Sequence, residues 1–161
     1  MKFATTFAAV AGLATLTALT PALAPAWADD GGTHPVKMSK AQIAGQIFTD
    51  HKPVVMTHKD STWGPYVTHD VEAFLSTDKK MDSGMYKSGP VRMEFKDQPY
   101  GVDEFMYFLK GGVTLTSADG TVTKIGPGDA VTIGRNWKGV WESKGYTKIY
   151  VIYSPDGPLS E

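Results

Sequence analysis

From residue 54 onward, the apolar residues recur in short runs separated by glycine-rich turns. Val91-Arg92-Met93-Glu94-Phe95 alternates apolar and charged residues, the mark of a strand with one buried face. Residues 105–109 are apolar at both parities and predict a central strand covered on both sides. Residues 113–116 and 121–125 flank Ser117-Ala118-Asp119-Gly120, a hairpin loop in which Asp-Gly supplies the positive φ. Gly126-Pro127-Gly128-Asp129 is a tight turn into a run at 130–133, with Asp129 placed to bond nearby amides. Val54-Val55-Met56 opens the series, and Val140-Trp141 and residues 147–153 close it. Residues 67–75 are mixed and leave their state open. One helix is predicted before the strands. Ser39 and Gln42 have capping-box spacing, Ile43 and Ile47 lie one turn apart, and Lys52-Pro53 ends the element. Short strands at regular spacing with a single short helix predict an all-β sandwich or barrel.

The first stretch follows a different rule. Lys2 precedes an uncharged run of Ala, Val, Leu, Gly and Thr over residues 7–19. Pro21 and Pro25 follow, and Ala26-Trp27-Ala28 puts small residues where a signal peptidase needs them. The run is too short, and too diluted by Thr15, Thr17 and Thr20, for a membrane anchor. The expected organisation is a signal peptide over 1–28, a flexible mature N-terminus and short helix over 29–52, a barrel over 53–154 and a polar tail over 155–161. Cleavage removes Lys2 and no acid, so the formal net charge moves from −1 to −2. A near-neutral chain without basic runs argues against nucleic acid or an anionic membrane as partner. The absence of cysteine excludes a disulfide, a thiol nucleophile and a lipidated cysteine, and suits a bacterial periplasm.

Several motifs in order carry a resemblance. They are Phe74-Leu75-Ser76-Thr77-Asp78, Gly84-Met85-Tyr86, Ser88-Gly89-Pro90, Asp103-Glu104-Phe105, Gly128-Asp129, Gly139-Val140-Trp141-Glu142 and Lys148-Ile149-Tyr150-Val151-Ile152. Together they resemble the cupin superfamily, in the branch related to ureidoglycine aminohydrolase and the ethanolamine-utilisation protein EutQ. The resemblance covers about residues 54–153. It implies a jelly-roll cupin β-barrel with a pocket at its mouth, often dimeric. It also implies a metal held by two spaced histidines, a glutamate and a later histidine. Here Gln98, Tyr100 and Gly139 stand at the three histidine positions, and Glu104 alone is kept. Amide and phenol oxygens are poor ligands for such metals, so the expectation is no metal, with a weak divalent site at Gln98 and Glu104 left open.

If Glu104 faces inward, alternation turns Met106 and Phe108 the same way, with Val91, Met93 and Phe95 inward from their own strand. A carboxylate in such apolar surroundings favours its neutral form, which makes Glu104 a candidate general acid or base. A plain hydrogen bond to Tyr100 or to a backbone amide is the structural alternative. Tyr86, Met93, Gln98, Tyr100, Met106, Trp137 and Trp141 are the candidate ligand-binding residues, and aromatic filling of a small barrel is their structural alternative. Arg135-Asn136-Trp137-Lys138 reads as an exposed loop with two cations. His34 and His51 read as solvated, whereas His58 and His69 are near enough to early strands to reach the rim. Three functions stay open. One is a metal-free periplasmic cupin binding a small polar or amine-containing metabolite. The second is a hydrolase acting on C–N bonds through a degenerate metal site or Glu104. The third is a dimeric interaction scaffold with a filled barrel.

Overall fold

The structure is a computed structural model that describes residues 33–159. The signal segment expected over 1–28 lies outside the described residues. The described residues form ten strands in two antiparallel sheets preceded by one short helical segment. The strands are β1 (Val54–His58), β2 (Tyr66–Leu75), β3 (Met81–Ser88), β4 (Val91–Phe95), β5 (Asp103–Gly111), β6 (Val113–Ser117), β7 (Val122–Ile125), β8 (Ala130–Ile133), β9 (Gly139–Ser143) and β10 (Tyr146–Tyr153). One sheet runs β1-β2-β3-β10-β5-β8 and the other β4-β9-β6-β7. The jelly-roll cupin architecture expected from the sequence fits this arrangement.

The local signals act as the chemistry requires. Ser39 and Gln42 form a reciprocal capping box: Ser39 N donates to Gln42 Oε1 at 2.7 Å and Gln42 N to Ser39 Oγ at 3.2 Å. A π-helical turn, Gln42–Gln46, kinked within itself by Gly45 at φ 122°, then leads into α1 (Ile47–Asp50). In the β6–β7 loop, Gly120 takes φ 87° and Asp119 Oδ1 accepts from Thr121 N. In the next turn Asp129 Oδ2 accepts from Gly126 N at 2.9 Å.

Register defines the interior. On β5, Glu104, Met106 and Phe108 face the second sheet, and on β10 their cross-strand partners are Ile152, Tyr150 and Lys148. Carried across β3 and β2, the same face presents Asp82, Tyr86, Thr68 and Asp70. The second sheet contributes Val91, Met93 and Phe95 opposite Ser143, Trp141 and Gly139. The main core gathers Val91, Met106, Phe108, Leu115, Trp141 and Tyr146. A smaller cluster of Ile47, Val71 and Met85, with Ile43, Phe48, Leu109 and Ile149 against it, packs the helical segment onto the outside of the large sheet.

Two expectations about the sheet change. Residues 105–109 belong to a central strand, yet their outer side is not fully covered: Phe105 is 43% and Tyr107 38% exposed. The helical segment packs with Val71, Met85, Leu109 and Ile149, and neither Phe105 nor Tyr107 belongs to that cluster. The mixed segment 67–75 is part of β2, a strand with a bulge near Ala73.

Candidate functional site

The interior carries polar groups that a filled apolar barrel does not need. Glu104 on β5 and Lys148 on β10 are 2% and 5% exposed, and Lys148 Nζ lies 2.5 Å from Glu104 Oε1. Alternation along β10 turns Tyr146, Lys148 and Tyr150 inward together. The lysine extends through an aromatic box, with its Nζ 5.3 Å from the Tyr86 ring centroid, 5.6 Å from Trp141 and 5.8 Å from Tyr146. Tyr100 donates its hydroxyl to the other Glu104 oxygen. Burial, and then the charge on Glu104, holds the Tyr100 phenol well above its ordinary value, so it stays a donor.

A second polar group stands further along the same face. Tyr150 donates to Asp70 Oδ1 at 3.0 Å and lies 3.2 Å from Asp82 Oδ2. Gly84 makes this possible. A Cβ there would come within 2.9 Å of the Tyr150 hydroxyl and 2.2 Å of Val71 O. Burial pushes Asp70 up to about 6. Burial, and then the neighbouring charges of Glu72 and Asp70, pushes Asp82 up to about 8. Among the described residues neither carboxylate has an ion-pair partner. Asp70 and Asp82 are half-buried and Glu72 is exposed, so the interior meets solvent at this end.

The predicted residues distribute as follows. Tyr86, Tyr100 and Trp141 converge on the Glu104–Lys148 pair. Met106 is buried beneath them, and Met93 accepts from the Tyr66 hydroxyl at 3.6 Å. Trp137 packs on Phe95 and Tyr100 and donates to Ser117 Oγ, so the loop it belongs to is anchored inward. Arg135 of that loop pairs with Asp156. Gln98 is not part of the site: it is exposed in the β4–β5 loop, whereas Glu104 is buried. The lone carboxylate in apolar surroundings is also corrected, because Lys148 stands against it. The hydrogen bond from Tyr100 is the alternative that holds. His58 faces inward, stacked on Tyr66 and bonded to Thr68, whereas His69 points to the outer face. His34 is exposed, and His51 is half-buried and bonded to Gln42.

The metal arrangement implied by the resemblance does not fit these residues. Tyr100 uses its hydroxyl on Glu104, and Glu104 is engaged by an ammonium. A Cβ at Gly139 would lie 2.2 Å from Thr116 O and 2.7 Å from Trp137 Cζ2, so no side chain has room there. Among the described residues no group of three His, Asp or Glu side chains is arranged to hold a metal ion.

Sequence reasoning missed Lys148, Tyr150, Asp70 and Asp82. Only Lys148 left a legible signal, a charged residue at the inward parity of a strand otherwise lined by Tyr146, Tyr150 and Ile152.

Residues 85–150 match the family model of the EutQ-like cupin domain. Among solved structures, the chain is similar to a DUF861-family protein of unknown function from Pseudomonas syringae pv. tomato. That pair shares 18% identity over 62% of this chain and 44% of the other, with a TM-score of 0.55. The chain thus spans less than half of that relative. It is also similar to the EutQ protein of Clostridium difficile, at 19% identity over 56% and 71% of the two chains with a TM-score of 0.46. A putative ethanolamine utilization protein from Salmonella typhimurium gives 12% identity, 65% and 98% coverage, and 0.48. No curated protein matches the chain.

Proposed function

The chain is a member of the cupin superfamily with a domain of the EutQ-like type, and from that premise we propose that it binds a small amine-containing metabolite without a metal. The observation that carries this reading is the convergence of Asp70 and Asp82 on one hydroxyl of the interior, with no ion-pair partner among the described residues. Burial and the neighbouring acids hold Asp82 toward its neutral form, and an arriving ammonium draws it back to the carboxylate. Burial makes each hydrogen bond to such a ligand stronger than it is in water. Lys148 supports the metal-free part, since its ammonium gives Glu104 the positive charge that a metal would otherwise bring.

The test is titration calorimetry of the mature protein with a panel of small amines and matched neutral alcohols. Binding of at least one amine, weakened at least tenfold by Asp70→Asn or Asp82→Asn, is the expected result. Equal response to amines and alcohols, or none to either, would overturn it.

We propose further that the protein acts in the periplasm as a homodimer. The signal layout over 1–28 supports export, and N-terminal sequencing of exported protein should begin at Asp29. The exposed side of Phe105, Tyr107, Tyr153 and Met81 supports the dimer, as an apolar area that a second copy would cover. Light scattering should report a dimer, and Phe105→Lys with Tyr107→Lys should convert it to a monomer.

A further inference from the structure

Resting on that reading, we infer that the same interior holds a second subsite, formed by Trp141 and Lys148, that takes a carbonyl or carboxylate oxygen of the ligand. Trp141 Nε1 is fully buried, its residue 1% exposed, and it has no hydrogen-bond partner among the described residues. Buried N–H groups are almost always satisfied, because leaving one without an acceptor forfeits the bonds it made to water. The neighbouring buried hydroxyls follow that rule: Tyr100 donates to Glu104 and Tyr150 to Asp70. The unsatisfied indole is therefore local, and it is close to a second surplus of donors. Lys148 Nζ, 5.6 Å from the indole ring centroid, makes one hydrogen bond, to Glu104. An ammonium carries three donors, so two remain for an incoming acceptor.

Donors thus collect around Trp141 and Lys148, and acceptors around Asp70 and Asp82. Lys148, Asp70 and Asp82 share one face of the large sheet, Trp141 lies on β9 of the sheet opposite, and Lys148 is near enough to Asp70 to act on its carboxyl electrostatically. The complementary ligand is compact, with an ammonium at one end and an acceptor oxygen at the other. An amine alone would satisfy the acids and leave the indole unpaired. A carboxylate is preferred over a neutral carbonyl because both donor groups then bond to a charge.

Propylamine and β-alanine share a three-carbon chain and differ in the terminal carboxylate, which makes them the probes. Calorimetry on the mature protein should give β-alanine an affinity about tenfold above that of propylamine. The side-chain indole N–H resonance of Trp141, identified by its loss in Trp141→Phe, should shift downfield with β-alanine and stay in place with propylamine. Trp141→Phe should lose the β-alanine advantage, so that the ratio of the two affinities falls to about one. Equal affinities in the wild type, or an indole resonance indifferent to β-alanine, would overturn the subsite while leaving amine binding intact. Failure of both probes to bind would overturn the amine reading as well. If Trp141→Phe does not fold, the wild-type affinity ratio and indole shift decide.

Discussion

Lys148 Nζ lies 2.5 Å from Glu104 Oε1 across the β5–β10 pairing, with both side chains almost wholly removed from water. Such a pair costs desolvation on both partners, and apolar residues of similar size often do as well or better. Removing one partner is different, because it strands a buried charge. Lys148→Met is expected to lose about 3–5 kcal/mol of stability in urea unfolding. Adding Glu104→Leu to Lys148→Met should recover most of that loss, since no charge is then left unpaired. A single variant as stable as the wild type would remove Lys148 from the account.

The acid pair predicts an unusual dependence on pH. Asp70 rises to about 6 and Asp82 to about 8 in the folded protein, from an ordinary value of 3.8. Between the ordinary and folded values the native state holds more protons than the unfolded chain. Stability from these groups is therefore full below about pH 4, declines as pH rises through that window, and levels off above about 8. Asp82→Asn removes the larger part of this decline. It should match the wild type near pH 4 and exceed it by about 1–3 kcal/mol at pH 8.5, read from denaturant midpoints at each pH. A difference that does not change with pH would contradict the assignment.

Gly139 tests the claim that the family's metal arrangement cannot be rebuilt by substitution at the ligand positions. Gly139→Ala alone is expected to cost about 2 kcal/mol or more, because its Cβ meets Thr116 O and the Trp137 ring. Gln98→His with Tyr100→His and Gly139→His should bind no stoichiometric Zn by elemental analysis. Full loading of that triple variant would show that the loop around Trp137 yields.

Glu104 and its surroundings were partly legible because two regularities coincided. The ordered motifs that resemble the cupin superfamily identified Glu104, and strand parity along 91–95 and 104–108 then gave the rest of its face. Tyr100, four residues before it, followed from the position the resemblance gives to a histidine. Lys148 was overlooked in a strand recognised for its apolar content, although a single charge at the inward parity of that strand is its one legible signal. Asp70 and Asp82 were less visible still. β3, Met-Asp-Ser-Gly-Met-Tyr-Lys-Ser, has none of the β-branched residues that mark a strand. The role of Gly84 in admitting the Tyr150 hydroxyl exists only once β2, β3 and β10 lie side by side. The exposed outer side of Phe105 and Tyr107 was equally out of reach, since apolar residues at both parities do not say how far a helix covers them.

Whether the interior recognises an amine without a metal is decided by one comparison. The affinity of the mature protein for a bound amine is measured before and after a strong chelator strips divalent ions. The affinity should be the same in both states, because Lys148 already supplies the cation beside Glu104. Loss of binding with the chelator, restored by added Mn, Fe, Ni or Zn, would contradict metal-free recognition.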